Sequence, residues 1–188
     1  MKNNIISGLF VLISVALFGQ DEGKVSLLES DSTWNQEIFY FPLSFAPEIN
    51  FEGFEDARFP KYWSNRDSSD FWSYVFVWSI SNPVEVTSSS IEQSLKIYFN
   101  GLMNYGNSSA VFSEKEPLGL VRRFTGQIQT FDALIQKTDM TLNVSVERYY
   151  CDEIKRPIFY LGFHLRILDL IFGKSFLGVK LVQGSCDL

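Results

Sequence analysis

Three runs of alternating apolar residues in the C-terminal half restrict the folds open to this chain more than any other feature. Phe124, Gly126 and Ile128 share one side of a first strand. Leu142, Val144 and Val146 share one side of a second, and Leu161, Phe163 and Leu165 one side of a third. Strict alternation is the mark of a strand with one buried face. Pairing Gly126 with Val144, and Val144 with Phe163, puts all nine on a common side. A slip of one residue would turn a strand inside out, so the pattern argues for an antiparallel meander in this register. A fourth run, Phe176 to Gln183, offers Leu177, Val179 and Leu181 to the same side after a turn at Gly173-Lys174, with Phe163 facing Val179.

Upstream, Glu37 to Phe45 (EIFYFPLSF) is strand-prone, and Pro42 inside it implies an edge strand or a bend. Residues 46–70 are rich in turn formers and long for a loop, so they read as a connection that either holds a short helical turn near Glu55 to Arg58 or is a functional insertion. Phe71 to Ile80 reads as a strand with Trp72, Tyr74, Phe76, Trp78 and Ile80 on one face. Ser89-Ser90-Ile91-Glu92 fits a capping box with Ser89 as N-cap. Ile91, Leu95, Phe99 and Leu102 then recur at helical spacing, so a helix is predicted over residues 89–104, stopping near Asn104 to Gly106. The expected fold is α+β: a curled antiparallel sheet of five to six strands packed on one main helix. The alternative is a lipocalin-like closed β-barrel, which the mid-chain helix disfavours.

The first twenty residues have the layout of a cleavable signal peptide. Lys2 supplies a short positive region, Ile5 to Phe18 a short apolar core, and Gly19-Gln20-Asp21-Glu22 an abrupt polar exit. The apolar core is shorter than the roughly 20 residues that span a bilayer. The expected organisation is a signal peptide at 1–20, a loose lead-in at 21–36 and one globular domain at 37–188. The expected destination is the periplasm or the exterior of a Gram-negative cell. Loss of Lys2 leaves fifteen cations against twenty-two anions, a net charge of −7. An acidic chain without a basic run is a poor ligand for nucleic acid or for an anionic membrane surface. No stable membrane insertion is expected after cleavage.

Export also bears on Cys151 and Cys186, since an oxidising compartment permits a disulfide between them. The fourth-strand register would bring Cys186 opposite Arg156, beside the loop that begins at Cys151. Two distant Cys and a single His make no metal set, and neither a GxSxG elbow, a Walker loop nor GxGxxG is present. No cofactor or metal is expected.

Three groups of residues are candidates for function. The outer face of the meander collects Arg123, Glu147 and Tyr160 in one row and Gln127, Asn143 and His164 in another, with Arg166 close by. An arginine there can clamp an anion, and His164 can move a proton near neutral pH. Antiparallel sheets also commonly carry such a face simply for solvation. Asp67 and Asp70 lie between Trp63 and Trp72, a carboxylate pair beside aromatic platforms of the sort glycosidases use. Two Asp in one Ser-rich loop more often cap turns. Finally, Phe39, Phe41, Phe45, Phe51, Phe54, Phe59, Tyr62 and Trp63 can line an apolar pocket or serve as core. Ser145, His164 and Glu147 formally make a nucleophile, base and acid, but mid-strand positions suit that role badly. The expected function is non-enzymatic binding of a small molecule, glycan or protein partner. A hydrolase using His164 or Asp67/Asp70, with Glu147 in support, is the alternative.

Overall fold

Alternation in the C-terminal half becomes three long strands. The computed structural model describes residues 26–167 and 180–181, except 31, 83, 133, 153 and 154, with backbone alone at 156, 164–167, 180 and 181. Residues 1–20, read from the sequence as a signal peptide, and Cys186 lie outside the described residues. The elements in chain order are β1 (Leu28–Glu29), β2 (Trp34–Tyr40), β3 (Gly53–Pro60), β4 (Val75–Ile80), α1 (Ser88–Met103), β5 (Ser109–Leu118), β6 (Val121–Phe131), β7 (Lys137–Cys151), β8 (Arg156–Ile167) and β9 (Lys180–Leu181).

Seven strands form one antiparallel sheet in the order β2-β3-β4-β8-β7-β6-β5, which does not close into a barrel. Two meanders, β2–β4 and β5–β8, therefore meet along a single seam between β4 and β8. Val144 does face Phe163. Gly126 faces Leu142 rather than Val144, a shift of two residues that leaves every side chain on its expected face. Phe124, Ile128, Leu142, Val144, Val146, Leu161 and Phe163 are accordingly buried together.

The fourth C-terminal run does not extend this meander. The outer edge of β8 is occupied by β4, and Phe163 faces Phe76, not Val179. Lys180 and Leu181 pair instead with Glu29 and Leu28 in a separate two-stranded sheet. The predicted lead-in thus contains β1 and the first residues of β2. The register that would have placed Cys186 opposite Arg156 is also gone. Cys151 itself is fully buried at the end of β7, facing Arg156.

Strand β3 lies inside the stretch read as a connection. Its sequence, GFEDARFP, carries charge on both faces and so hides the alternation a strand normally shows. β2 is an edge strand that stops at Tyr40, just before Pro42, whose peptide bond with Phe41 is cis. β4 begins at Val75, later than expected, because Trp72 takes a left-handed backbone with φ of 52°.

The helix has its box two residues earlier than predicted. Thr87 is the N-cap: its Oγ1 accepts from Ser90 N at 3.1 Å, and Ser90 Oγ accepts from Thr87 N at 2.9 Å. Glu92 is consequently free of capping and accepts the Phe112 N–H at 2.7 Å, tying α1 to β5. Asn104 closes the helix in the left-handed conformation. The buried face is Ile91, Leu95, Tyr98, Phe99 and Met103, while Leu102 is exposed. Each such large apolar side chain, once fully buried, stabilises by about 1.5–3 kcal/mol. Gly101 lets the helix approach the 43–49 segment, since a Cβ there would sit 1.8 Å from the Phe45 carbonyl oxygen.

Both faces of the β3–β4–β8 region are covered. The helix-side face holds the main core. The opposite face buries Phe54, Val75, Val77, Ile158 and Tyr160 under Leu27 and Leu28. A buried ion pair holds that N-terminal segment in place. Asp56 Oδ2 accepts from the backbone N–H of Leu27 at 2.8 Å and of Leu28 at 3.1 Å. Arg58 pairs with Asp56 and donates to the Leu28 carbonyl at 2.8 Å and to Ser26 Oγ at 2.7 Å.

Candidate functional site

Register places two adjacent rows of side chains under the first turns of α1. One row crosses the sheet as Trp78, Leu161, Val146 and Arg122 on β4, β8, β7 and β6. The next is Ile80, Phe159 and Arg148. Both rows begin apolar at the seam and end in an arginine. Between them and the helix is a cleft of about 200 Å³, walled by Trp78, Ile80, Phe163 and Ile91 and rimmed by Ser90 and Ser94. Val84, Glu85 and Val86 wall this cleft and also an adjoining depression of about 460 Å³ that reaches Arg122, Arg148 and Leu120.

The Trp78 ring is locked from behind. Its Nε1 donates to Glu55 Oε2 at 2.8 Å, and Tyr98 OH donates to Glu55 Oε1 at 2.9 Å. One carboxylate thereby joins β3, β4 and α1. Glu55 is fully buried, and this desolvation pushes its pKa up to about 7 against the pull of the two hydrogen bonds. The charges of Glu37 and Asp56 add to the rise. Burial likewise holds the Tyr98 and Tyr74 phenols well above their usual range. Phe41 and Phe51 brace the outer edge of Trp78, with ring centroids 5.8 and 5.7 Å from it.

The two arginines differ. Arg122 is engaged: Nε donates to Glu114 at 2.7 Å and NH1 to the Val86 carbonyl at 2.8 Å, with the guanidinium 5.2 Å above the Phe124 ring. Arg148 is exposed and lies 5.8 Å over the Phe159 ring, with no ion pair or hydrogen bond to the described residues.

The sites expected from sequence are dispersed by comparison. Arg123 faces Ser145 rather than Glu147, and its Nε and NH2 donate to the Glu116 carbonyl at 3.0 and 2.7 Å. Glu147 does face Tyr160, but Tyr160 is buried in the second core cluster. Asn143 faces His164 and accepts from Thr125 Oγ1 at 2.9 Å. Gln127 is exposed and faces Thr141, as does Arg166 from the other side. The side chains of His164 and Arg166 are outside the described residues. Arg123, Asn143 and Ser145 share a broad, shallow depression. In the 61–72 loop, Asn65 Oδ1 and Ser68 Oγ cap the turns by accepting from Asp67 N and Asp70 N, both at 3.1 Å. The two carboxylates line neither the cleft nor the depression beside it.

Among the eight aromatic residues, Phe39, Phe41, Phe45, Phe51, Phe59 and Trp63 pack against the main core. Phe54 lies on the opposite face, and Tyr62 is exposed. Glu55, Arg122 and Arg148 were missed from sequence. The register of the meander carried the signal for the arginines, which fall on the ends of two rows. Among the described residues, no cluster of His, Cys, Asp and Glu is arranged to hold a metal, and no helix is long and apolar enough to cross a membrane. No protein-family model, curated protein or solved structure matches the chain.

Proposed function

We propose that this chain is an exported, non-enzymatic binding domain that takes a small apolar ligand in the cleft between α1 and the β4–β8 seam. The observation that carries this reading is the cleft itself: an apolar floor of Trp78, Ile80 and Phe163 with a polar rim at Ser90 and Ser94. An apolar cavity with a few convergent polar groups is the ordinary form of a small-molecule site. The adjoining depression extends it toward the usual range of about 300–1,000 Å³. Export is supported by the layout of residues 1–20. A Cys151–Cys186 disulfide fits that compartment, and Cys151 is buried and not a free thiol.

A thermal-shift panel of apolar small molecules on the mature protein tests the function. A ligand at a hundredfold excess over its Kd stabilises the folded state by about 2.7 kcal/mol. Ser94→Trp, which fills the cleft from its rim, should retain the fold and lose the shift. A panel that shifts neither protein, or both equally, refutes the site.

A further inference from the structure

We infer that the ligand of this cleft is an anionic amphiphile, an acyl chain bearing a carboxylate, with its head at Arg148. The inference rests on the cleft reading and adds to it the polarity of the floor. From Trp78 on β4 to Arg122 on β6 is three strand steps, about 14 Å at ~4.8 Å per strand. The second row, from Ile80 on β4 to Arg148 on β7, is two steps, about 10 Å, and both rows change from apolar side chains to a guanidinium. The apolar end is closed over by Ile91 of α1, and the cationic end is open. A ligand that satisfies both ends must be apolar at one extremity and negative at the other. The floor is one side chain wide per row, which suits an extended chain rather than a fused ring system.

Arg148 is the group that makes this selective. Arg122 already serves Glu114 and the Val86 carbonyl, so it fixes the 84–87 wall of the cleft. Arg148 has its guanidinium carbon 5.8 Å from the centroid of the Phe159 ring, which is itself in the floor, and its donors unspent among the described residues. A guanidinium with unspent donors can pair with a carboxylate through two hydrogen bonds. Glu85 on the shared wall opposes the same head, so the site discriminates by the balance of Arg148 against the exposed Glu85.

The test is calorimetric titration of the mature protein with dodecanoate below its micellar concentration and with dodecanol below its solubility limit. Dodecanoate should bind about tenfold more tightly, the effect of one charge-assisted hydrogen-bonded contact. Arg148→Gln should bring the two affinities together without changing the melting temperature. Glu85→Gln should enlarge the preference for dodecanoate. Equal affinity of the two ligands for the wild-type protein overturns the inference and leaves the cleft reading standing. Binding of neither overturns both. A preference that survives Arg148→Gln also overturns the assignment.

Discussion

A glutamate in water releases its proton near pH 4.5, but Glu55 has been moved into the core and holds its proton to about pH 7. Between those values the folded protein binds a proton that the unfolded chain does not. Stability is therefore greatest below about pH 4.5 as far as this group is concerned, and falls as pH rises through 7. A displacement of one pH unit is worth ~1.4 kcal/mol, so the loss across the window is about 3 kcal/mol. Glu55→Gln removes the titration while keeping an acceptor for one of Trp78 and Tyr98. Urea denaturation at pH 5 and pH 8 should show the wild type weakening with pH relative to the variant. Parallel curves for the two proteins would show that Glu55 does not titrate in that window. None of this was legible in the sequence, because a Glu between Phe54 and Asp56 in a turn-rich stretch has every mark of an exposed residue. Its burial follows from Phe39 and Trp78, which flank it on neighbouring strands and close the core over it.

Among the elements, the helix was readable and its start was not. Thr87-x-x-Ser90 and Ser89-x-x-Glu92 both satisfy the spacing of a capping box. Tertiary structure chose the first by giving Glu92 a different partner in the Phe112 N–H. Thr87→Ala should cost about 1 kcal/mol and Ser89→Ala under ~0.5 kcal/mol in thermal unfolding. The reverse order would restore Ser89 as the cap. The buried strand β3 was unreadable for the opposite reason. Its Asp56 and Arg58 are there to dock a backbone segment, so charge took positions that alternation would fill with apolar residues. Replacing Asp56 with Ala leaves the Arg58 cation buried without its counterion, a change that costs about 3–5 kcal/mol. It should also make the 26–29 segment sensitive to limited proteolysis before the rest of the fold. Unchanged protection of that segment would show that the apolar contacts of Leu27 and Leu28 hold it alone.

On the scale of the whole molecule, the nine-residue alternation correctly assigned the faces of the C-terminal meander but not its neighbours. Alternation records which way a side chain points and carries no information about what lies beyond the outer strand. β4 took the edge of β8 and is thereby a central strand, with all six of its residues buried. Lys180 and Leu181, from the fourth run, pair with β1 instead. The disulfide proposed above belongs to this level, since it joins the end of β7 to the chain terminus. Alkylation of the protein in denaturant without reductant should label neither Cys151 nor Cys186, and reductant should expose both. Labelling before reduction would rule the bond out.

The pairing of Leu28 with Leu181 has a consequence for the order of events in the cell. Under the export proposed here the chain crosses the membrane from its N-terminus, so β1 emerges first and its partner strand nearly last. A contact that spans almost the whole sequence is slow to form, because its loop-closure cost must be met before it contributes anything. The first strand out is thus held without its β9 partner until Leu181 has also crossed. Final closure of the fold is thereby timed to the far side of the membrane.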